Sequence, residues 1–473
     1  MSEAISDKTL SRIDKLLMDR EQIPAEESHR SRLERGMDVV AGDDVAGSYG
    51  LQLALLTAVN LGAKCFGGAA TVHAGAELWS APCLVPLAQA RTLGEAVSMF
   101  GGKLSTWTGL PPQSSHLVLG NATADGRAVR LTYDGWLVAV GPAAELERMD
   151  ERQYCPLAAI AAAAIAVGEV FHEFAGISVS ATRRVVTLSL WRPDMGTDKS
   201  WGVGEPISEL PSEVAVFGLG HLGQAYLWGL AALPYGFDEG VTLLLCDDDE
   251  VEKPNVETGA LLTSACVGKL KTRTAAEWME ARGFTTRLLE RRVDERFRRT
   301  KEEPVIALSG FDDNHARQWL ADAGFARIFD SGLGGEEYNF DTIAFHSWPN
   351  PRPAKDIWPL ESEQERERRL ARKRQHAATN SAYQTVHTDE CGRLALAGKS
   401  IAVPFVGAVA ACVVLAELLK AINQGPTFGD LRLRLSSLTS GQPLGHLSCE
   451  KAGPIRGVPT QAAAWECAEA KKD

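Results

Sequence analysis

The stretch Val214-Ala215-Val216-Phe217-Gly218-Leu219-Gly220-His221-Leu222-Gly223 decides the fold. Four apolar residues of strand type run into a Gly-x-Gly-x-x-Gly turn, and an apolar segment of helical spacing follows over residues 222–233. A strand that turns on glycines into a helix opens a βα unit. Its bare backbone lets N–H groups at the helix N-terminus approach a phosphate. Alone, the pattern suits many nucleotide-binding proteins, and it also fits a tight turn with no ligand.

The same arrangement occurs earlier in the chain. Val39-Val40-Ala41-Gly42 leads to Gly47 with the offset that separates Gly218 from Gly223, and residues 51–61 supply the helical segment. A second match lies further on. CPLAAIAAAAIAVGEVF from Cys155 and VPFVGAVAACVVLAELL from Val403 set Pro156 as far from Glu169 as Pro404 is from Glu417. Between these anchors stand Leu117-Val118-Leu119-Gly120-Asn121 and Ile306-Ala307-Leu308-Ser309-Gly310. Three matches in one order mark two homologous α/β units, 1–205 and 212–473, joined through a stretch rich in Pro, Gly and Asp. Strands alternating with helices predict a Rossmann-like unit with a mainly parallel sheet in each half, the two arranged as a pseudo-dimer.

Composition bounds what such a body does. The 473 residues, 45% hydrophobic and 23% charged, are those of a globular chain with room for two cores. A net charge of −12 argues against nucleic acid, whose phosphates need a basic face. The N-terminal MSEAISDKTLSRIDKLLMDREQ has no apolar run of the secretory type. Both Ala-rich stretches fall short of the ~20 residues of a membrane span and read as buried helices. The nine cysteines include no Cys-x-x-Cys pair, so neither structural zinc nor a disulfide framework is expected, and the predicted location is cytoplasmic.

Chemistry gathers in the second unit. Its next strand, 241–245, ends in Cys246-Asp247-Asp248-Asp249-Glu250-Val251. A carboxylate there can hold ribose hydroxyls of NAD or ATP. Asn255 and Gly268-Lys269-Leu270-Lys271 follow, and lysines supply point charges for a triphosphate. A further strand, 305–308, ends in Ser309-Gly310-Phe311-Asp312-Asp313-Asn314, with Arg317 one turn on. A second carboxylate at a neighbouring strand end suits a magnesium–triphosphate complex and has no use in hydride transfer. The first unit carries Asp44 at its central loop position and no carboxylate cluster after KCFGGAATV, so it reads as a degenerate copy without a nucleotide site.

The order Gly-x-Gly-x-x-Gly, Asp-x-Asp-x-Val, Asn, Gly-x-x-Lys, Asp-Asn-x-x-Arg resembles the ThiF/MoeB/ubiquitin-activating superfamily over 212–425. The resemblance implies that Gly218, Gly220 and Gly223 cradle ATP, that Asp247 holds the ribose, and that Asn255 and Lys271 face the phosphates. It implies Asp313 as the magnesium ligand, with Asp249 and Lys269 as secondary contacts. One departure stands out: where the superfamily reads Asn-x-x-Arg-Gln, this chain reads Asn255-Val256-Glu257-Thr258-Gly259. Either another arginine substitutes or the triphosphate is held more weakly; the resemblance implies an arginine reaching across from the partner unit, with Arg20, Arg30, Arg32 and Arg35 as candidates.

The second unit also carries an insertion between Phe345 and Ser400. Its acid–base run, 361–376, reads as an exposed helix. Cys391, in His387-Thr388-Asp389-Glu390-Cys391-Gly392, is implied by the resemblance to lie on a crossing loop and to accept the activated acyl group as a thioester. Cys412, Cys246 and Cys155 read as packing residues. Leu431-Arg432-Leu433-Arg434-Leu435 alternates as a strand, and the last dozen residues are expected to be disordered.

Together these expectations describe ATP-dependent activation of the C-terminal carboxylate of a ubiquitin-like protein. Acyl-adenylate formation would be followed by a thioester on Cys391 and transfer to a conjugating-enzyme-type carrier. An inactive unit ahead of an active one is similar to eukaryotic ubiquitin-activating enzymes. The short length points to a bacterial relative from a defence-linked conjugation operon. Competing readings are a sulfur-carrier adenylyltransferase, a homodimer with zinc-binding Cys-x-x-Cys pairs; a non-catalytic scaffold; and an NAD-dependent oxidoreductase.

Overall fold

In the computed structural model each glycine turn lies at the C-terminal end of a central parallel strand. The structure describes residues 6, 8–106, 115–123, 126–194, 202–235, 240–386 and 388–438, with the short strands at 447–448 and 457–459. The C-terminal dozen residues, Cys449, Cys467 and His387 lie outside the described residues. In the first unit β1 (Met37–Ala41) is flanked in parallel by β2 (Ala70–Ala74) and β4 (His116–Leu119). The sheet continues in parallel to β3 (Gly102–Thr106) on one side and β5 (Ala128–Asp134) on the other. Antiparallel β6 (Leu137–Pro142) and β7 (Val186–Ser189) complete it. A short strand, β8 (Glu209–Pro211), follows and pairs with β17 (Gly457–Pro459).

The second unit repeats this plan. β9 (Glu213–Phe217) takes the place of β1, between β10 (Thr242–Cys246) and β12 (Ile306–Ser309). β11 (Thr285–Leu289) and β13 (Arg327–Leu333) extend the parallel part. β14 (Thr342–Trp348), β15 (Phe428–Arg434) and β16 (Leu447–Ser448) are antiparallel. The strand orders β3-β2-β1-β4-β5-β6-β7 and β11-β10-β9-β12-β13-β14-β15 correspond one to one, with β16 added at the second edge. The chain is therefore an α/β protein of two Rossmann-like units. The central parallel strands read as apolar runs because both faces are covered, and β4 and β12 are buried at every residue, whereas the edge strands β3 and β11 are largely exposed and more polar.

The repeat anchors are explained by one job performed twice. Pro156–Phe174 and Pro404–Ile422 each start on a proline, tolerated at a first turn whose N–H has no helical partner. They pack against each other and against Tyr49–Cys65 and His221–Ala231, so four helices form the layer between the units. Glu169 Oε2 accepts the Thr182 N–H (2.9 Å) and pairs with Arg184 (2.7 Å). Glu417 Oε2 likewise accepts the Phe428 N–H (2.9 Å) and pairs with Lys420 (2.5 Å). In both units a buried carboxylate ties the chain after the anchor helix back onto it. Both helices are long and apolar enough to cross a membrane by composition, yet 89% and 94% of their apolar windows are buried in the protein interior.

The units are also joined by polar contacts. Tyr49 donates to the Ala232 carbonyl (2.9 Å), Trp228 Nε1 to Thr57 (3.2 Å) and Asn60 to the Ala260 carbonyl (2.9 Å). Lys64 Nζ donates to the carbonyls of Val256 (2.7 Å) and Leu262 (3.0 Å), and burial pulls its pKa down to about 8. Residues 255–262 of the second unit thus rest on a helix of the first.

The insertion folds as helices Glu363–Thr379, Ser381–Gln384 and Glu390–Gly398 and docks on the N-terminal helices Asp14–Glu21 and Ala25–Arg35. Leu10, Met18 and Ala25 meet Ala377, Ala382, Tyr383, Val386, Leu396 and Ala397 in an apolar cluster separate from the main core. Asp19 is its polar centre, accepting from His376 (3.1 Å), Tyr383 (2.5 Å) and Lys15. Burial alone would raise the Asp19 pKa, but His376, Lys15 and Tyr383 together lower it, and Asp19 in turn raises that of His376. Glu337 and Lys15 also act on His376, in opposite senses. The Asp19 contribution is present above about pH 4 and fades as pH falls through its lowered value. The His376 contribution is complete below about pH 6.5 and fades as pH rises through its raised value. Hydrogen exchange across 376–398, corrected for intrinsic rates, is therefore expected to be slowest between those limits. Asp19→Asn should flatten both flanks; an unchanged profile would contradict the account.

Candidate functional site

Three strand ends converge on the second glycine turn. Gly218 has φ +77°, which L-residues resist, and a Cβ there would press on the Gly310 backbone at 3.0 Å. Gly223 backs directly onto the Gly218 carbonyl, so the helix His221–Ala231 approaches its own turn closely. Gly220, its N-cap, faces open space on the side where helix N–H groups point. Gly218 N donates to Cys246 O (2.9 Å) and Gly310 N to Phe217 O (2.8 Å), lacing β9, β10 and β12 together at their C-terminal ends. An anion reaching this crevice meets a helix N-terminus and, at Gly220, a backbone with no side chain in the way.

Asp247 sits at the end of β10. Its carboxylate accepts the Leu219 N–H (2.6 Å) and the Asp249 N–H (2.8 Å). Burial raises its pKa, and Lys271 partly offsets this. Residues 249–251 run antiparallel to 268–271, with Lys271 N bonded to Asp249 O (3.0 Å) and Val251 N to Lys269 O (2.8 Å). This places the Lys271 ammonium 2.6 Å from Asp249 and 3.8 Å from Asp247. The sequence put Lys271 towards phosphates; here its neighbours are carboxylates. Lys269 points outward to Glu277 (3.2 Å) and stands apart from the cluster. Ligand oxygens of Asp247, Asp248 and Asp249 lie within 4.8 Å of one another. Asn255 uses Oδ1 to accept the Glu252 N–H (2.8 Å), which leaves its amide N–H groups for a ligand.

Asp313 caps the helix Asn314–Ala321, accepting the His315 N–H through Oδ1 (2.9 Å). Its second oxygen has no hydrogen bond among the described residues. Arg317, one turn on, does not face the crevice. It bonds Asp330 (3.0 Å), Asn314 (2.9 Å) and the carbonyls of Ser331 (3.1 Å) and Phe311. Trp358 Nε1 donates to the other Asp330 oxygen (3.0 Å). Arg317 therefore fixes the loop that presents Asp312 and Asp313.

Thr258 is buried, and Glu257 turns away from the turn towards Arg32 (3.4 Å) and Ser11 of the first unit. Three candidates for a crossing arginine are engaged elsewhere. Arg32 is fully buried on Asp14 (2.8 Å) and the Cys65 carbonyl (2.9 Å). Arg35 reaches the Ser115 carbonyl (2.9 Å), and Arg20 the Gly176 carbonyl (3.1 Å). Arg30 is exposed on its helix. Glu257 apart, these partners all lie within the first unit, and sequence position could not reveal them.

One residue escaped the sequence reading. Gln224, buried in the turn's helix, donates to the Leu219 carbonyl (3.2 Å) and accepts the Leu261 N–H (3.3 Å), linking the glycine turn to residues 255–262. A lone amide within an otherwise apolar helix was the available signal. His221 is enclosed against Gly407 and Pro404, and burial pulls its pKa to about 4, so it brings no charge to the turn.

The first unit fills its own crevice. Asp44 accepts the Asn121 N–H at the end of β4 (2.9 Å) and pairs with Arg148 (2.6 Å), and Gly120 leaves room for the carboxylate. The Asp44 carboxylate thus stands between the turn and the neighbouring strand end.

Cys391 is exposed at the second position of Glu390–Gly398, not on a loop as expected. Asp389 accepts the Gly392 N–H (2.8 Å), and this cap starts a helix through the cysteine. Lys373 Nζ bonds the Gly398 carbonyl (2.9 Å), fastening this helix to Glu363–Thr379. Cys155, Cys246 and Cys412 are buried; desolvation raises all three thiols, that of Cys246 to about 12. Cys83 and Cys266 are half-buried.

Comparison with known proteins matches residues 36–190 to the BilD N-terminal domain and 210–425 to the BilD C-terminal domain. The bacterial E1-like protein BilD of Collimonas sp. (strain OK412) is 33% identical over 442 residues, covering 90% of this chain and 92% of that protein. Among solved structures, E. coli MccB with ATP is 16% identical (TM-score 0.33), over 51% of this chain and 67% of MccB. PaaA is 16% identical (TM-score 0.32), over 50% of this chain and 65% of PaaA. The chain spans about two thirds of these solved chains, a likeness too slight to bear on function.

Proposed function

The chain belongs to the BilD family of bacterial E1-like proteins, and from that premise we propose that it activates the C-terminal carboxylate of a ubiquitin-like protein with ATP and passes the acyl group through Cys391 to a carrier protein. The observation that carries this reading is the convergence of the glycine turn, Asp247 and Asp313 on one crevice of the second unit, while Asp44 occupies its counterpart.

ATP fits the crevice because Gly220 leaves it open and a helix N-terminus faces it. Asp247 is placed to accept from the ribose hydroxyls. Asn255 offers N–H groups to the phosphates, and Lys271 can exchange Asp249 for a phosphate oxygen. Asp313, through its second oxygen, would hold a magnesium ion, which when bound neutralises triphosphate charge. The partner's carboxylate attacks the α-phosphorus, and diphosphate leaves. The Cys391 thiolate then attacks the acyl carbon and AMP leaves, giving a thioester that a carrier thiol can take over.

Isothermal titration is expected to find one ATP site per chain, in a protein that light scattering finds monomeric. Asp313→Ala should remove magnesium-dependent binding. Two sites, or a preference for NAD, would overturn the reading.

A further inference from the structure

Around the crevice, the cations nearest the strand ends are already engaged. Lys271 faces Asp249 and Asp247, Arg317 faces Asp330, Arg292 faces Asp248 (3.1 Å), and His221 is neutral. The local balance is acidic even where Lys271 turns to a phosphate, so a triphosphate draws further positive charge from another element. The groove beside Asp313 supplies it. Asp312, Asp313, Asn314 and His315 line an open groove of about 1390 Å³ whose other side is the helix Glu363–Thr379, through Arg366, Arg368, Arg369 and Arg372.

Arg369 is held by both oxygens of Glu361 (2.8 and 2.9 Å). The side chains of Arg366, Arg368 and Arg372 are exposed and make no hydrogen bond or ion pair among the described residues, although Glu361 acts on Arg366 and Glu365 on Arg368 through space. Arg368 and Arg372 stand one turn apart on one face, a mildly unfavourable like-charge pair that a further anion lying against it would relieve. The two walls are held in register. Asn314 Nδ2 bonds the Pro359 carbonyl (2.8 Å), Gln318 Nε2 the Trp358 carbonyl (2.6 Å), and a Ser362–Glu365 capping box starts the arginine helix. Asp312 and Asp313 stand on one side and four guanidinium groups on the other, where Glu361 and Glu365 balance part of the charge; this suits a metal–polyphosphate, which presents a cation and anionic oxygens together.

We propose that Arg366, Arg368 and Arg372 bind the β- and γ-phosphates of the nucleotide across the groove from Asp313. The inference rests on the adenylating function proposed above and assigns the triphosphate's counter-charge to the insertion that also carries Cys391.

The test is calorimetry on the full chain with magnesium–ATP and, separately, AMP. The variant Arg366→Ala/Arg368→Ala/Arg372→Ala keeps helix-forming side chains, so circular dichroism should match the parent. It is expected to weaken ATP by about 30-fold or more, the scale of one or two charge-assisted hydrogen bonds, and AMP by less than about 2-fold. ATP binding should also lose part of its salt dependence, and lysines at the three positions should recover part of the affinity. Unchanged ATP affinity overturns the inference and leaves the proposed function standing, as does an equal loss of ATP and AMP, which would indicate distortion of the crevice. A parent chain that binds neither nucleotide overturns both.

Discussion

Cys391→Ala is expected to leave ATP–diphosphate exchange within about 2-fold of the parent while abolishing the reductant-sensitive adduct with the ubiquitin-like partner. Exchange needs only the crevice, whereas a thioester needs an accessible thiol. Cys391 is the exposed cysteine among those described, and it sits outside the main core on a helix of its own. Asp313→Ala should behave differently. Loss of a metal-binding carboxylate removes several kcal/mol of charge stabilisation, so exchange should fall by about 10³-fold and the adduct should vanish with it. One variant loses one step; the other loses two. Cys391→Lys should convert the adduct to a reductant-resistant amide. Persistence of a thioester in Cys391→Ala would move the nucleophile to half-buried Cys83 or Cys266, or to Cys449. If no cysteine matters, the chemistry ends at the adenylate and the conjugation reading falls.

The second large effect is on stability. Glu417 and Lys420 are fully enclosed beneath β15, and burial pushes the glutamate pKa up and the lysine pKa down. The pair holds because each partner has a further bond: Glu417 to Phe428 N (2.9 Å) and Lys420 to the Trp191 carbonyl (3.2 Å). Lys420→Met leaves the carboxylate enclosed without its counter-charge and should cost about 3–5 kcal/mol, read as a lower midpoint in chemical denaturation. Adding Glu417→Gln should recover most of that loss, since a neutral amide oxygen can still accept from Phe428. A single-variant cost under about 1 kcal/mol would show that the pair is dispensable.

How much of this was legible follows from the range of the forces involved. The doubled α/β plan was readable because it is written in local terms. Apolar runs mark strands buried on both faces, glycines mark a turn that a Cβ would obstruct, and Pro-to-Glu spacing marks a helix tied back at its end. The Asp389 cap that turns the cysteine segment into a helix was equally local, and its signal lay in the sequence unread. By itself, then, the sequence determined the two units, their order and the residue types gathered at the second turn.

Only the tertiary structure decided which charges are available. Arg32 pairs with Glu257 across 225 positions, Lys271 with Asp249 across 22, and Arg317 with Asp330 across 13. Sequence spacing carries no information about such pairings, because a buried cation takes whichever carboxylate the packed elements bring within 3–4 Å and cannot be desolvated without one. The same packing set Asp44 into the first unit's crevice and turned the arginine helix towards Asp313. Residue type could nominate the candidates; the enclosing surfaces determined which of them remain free to meet a ligand.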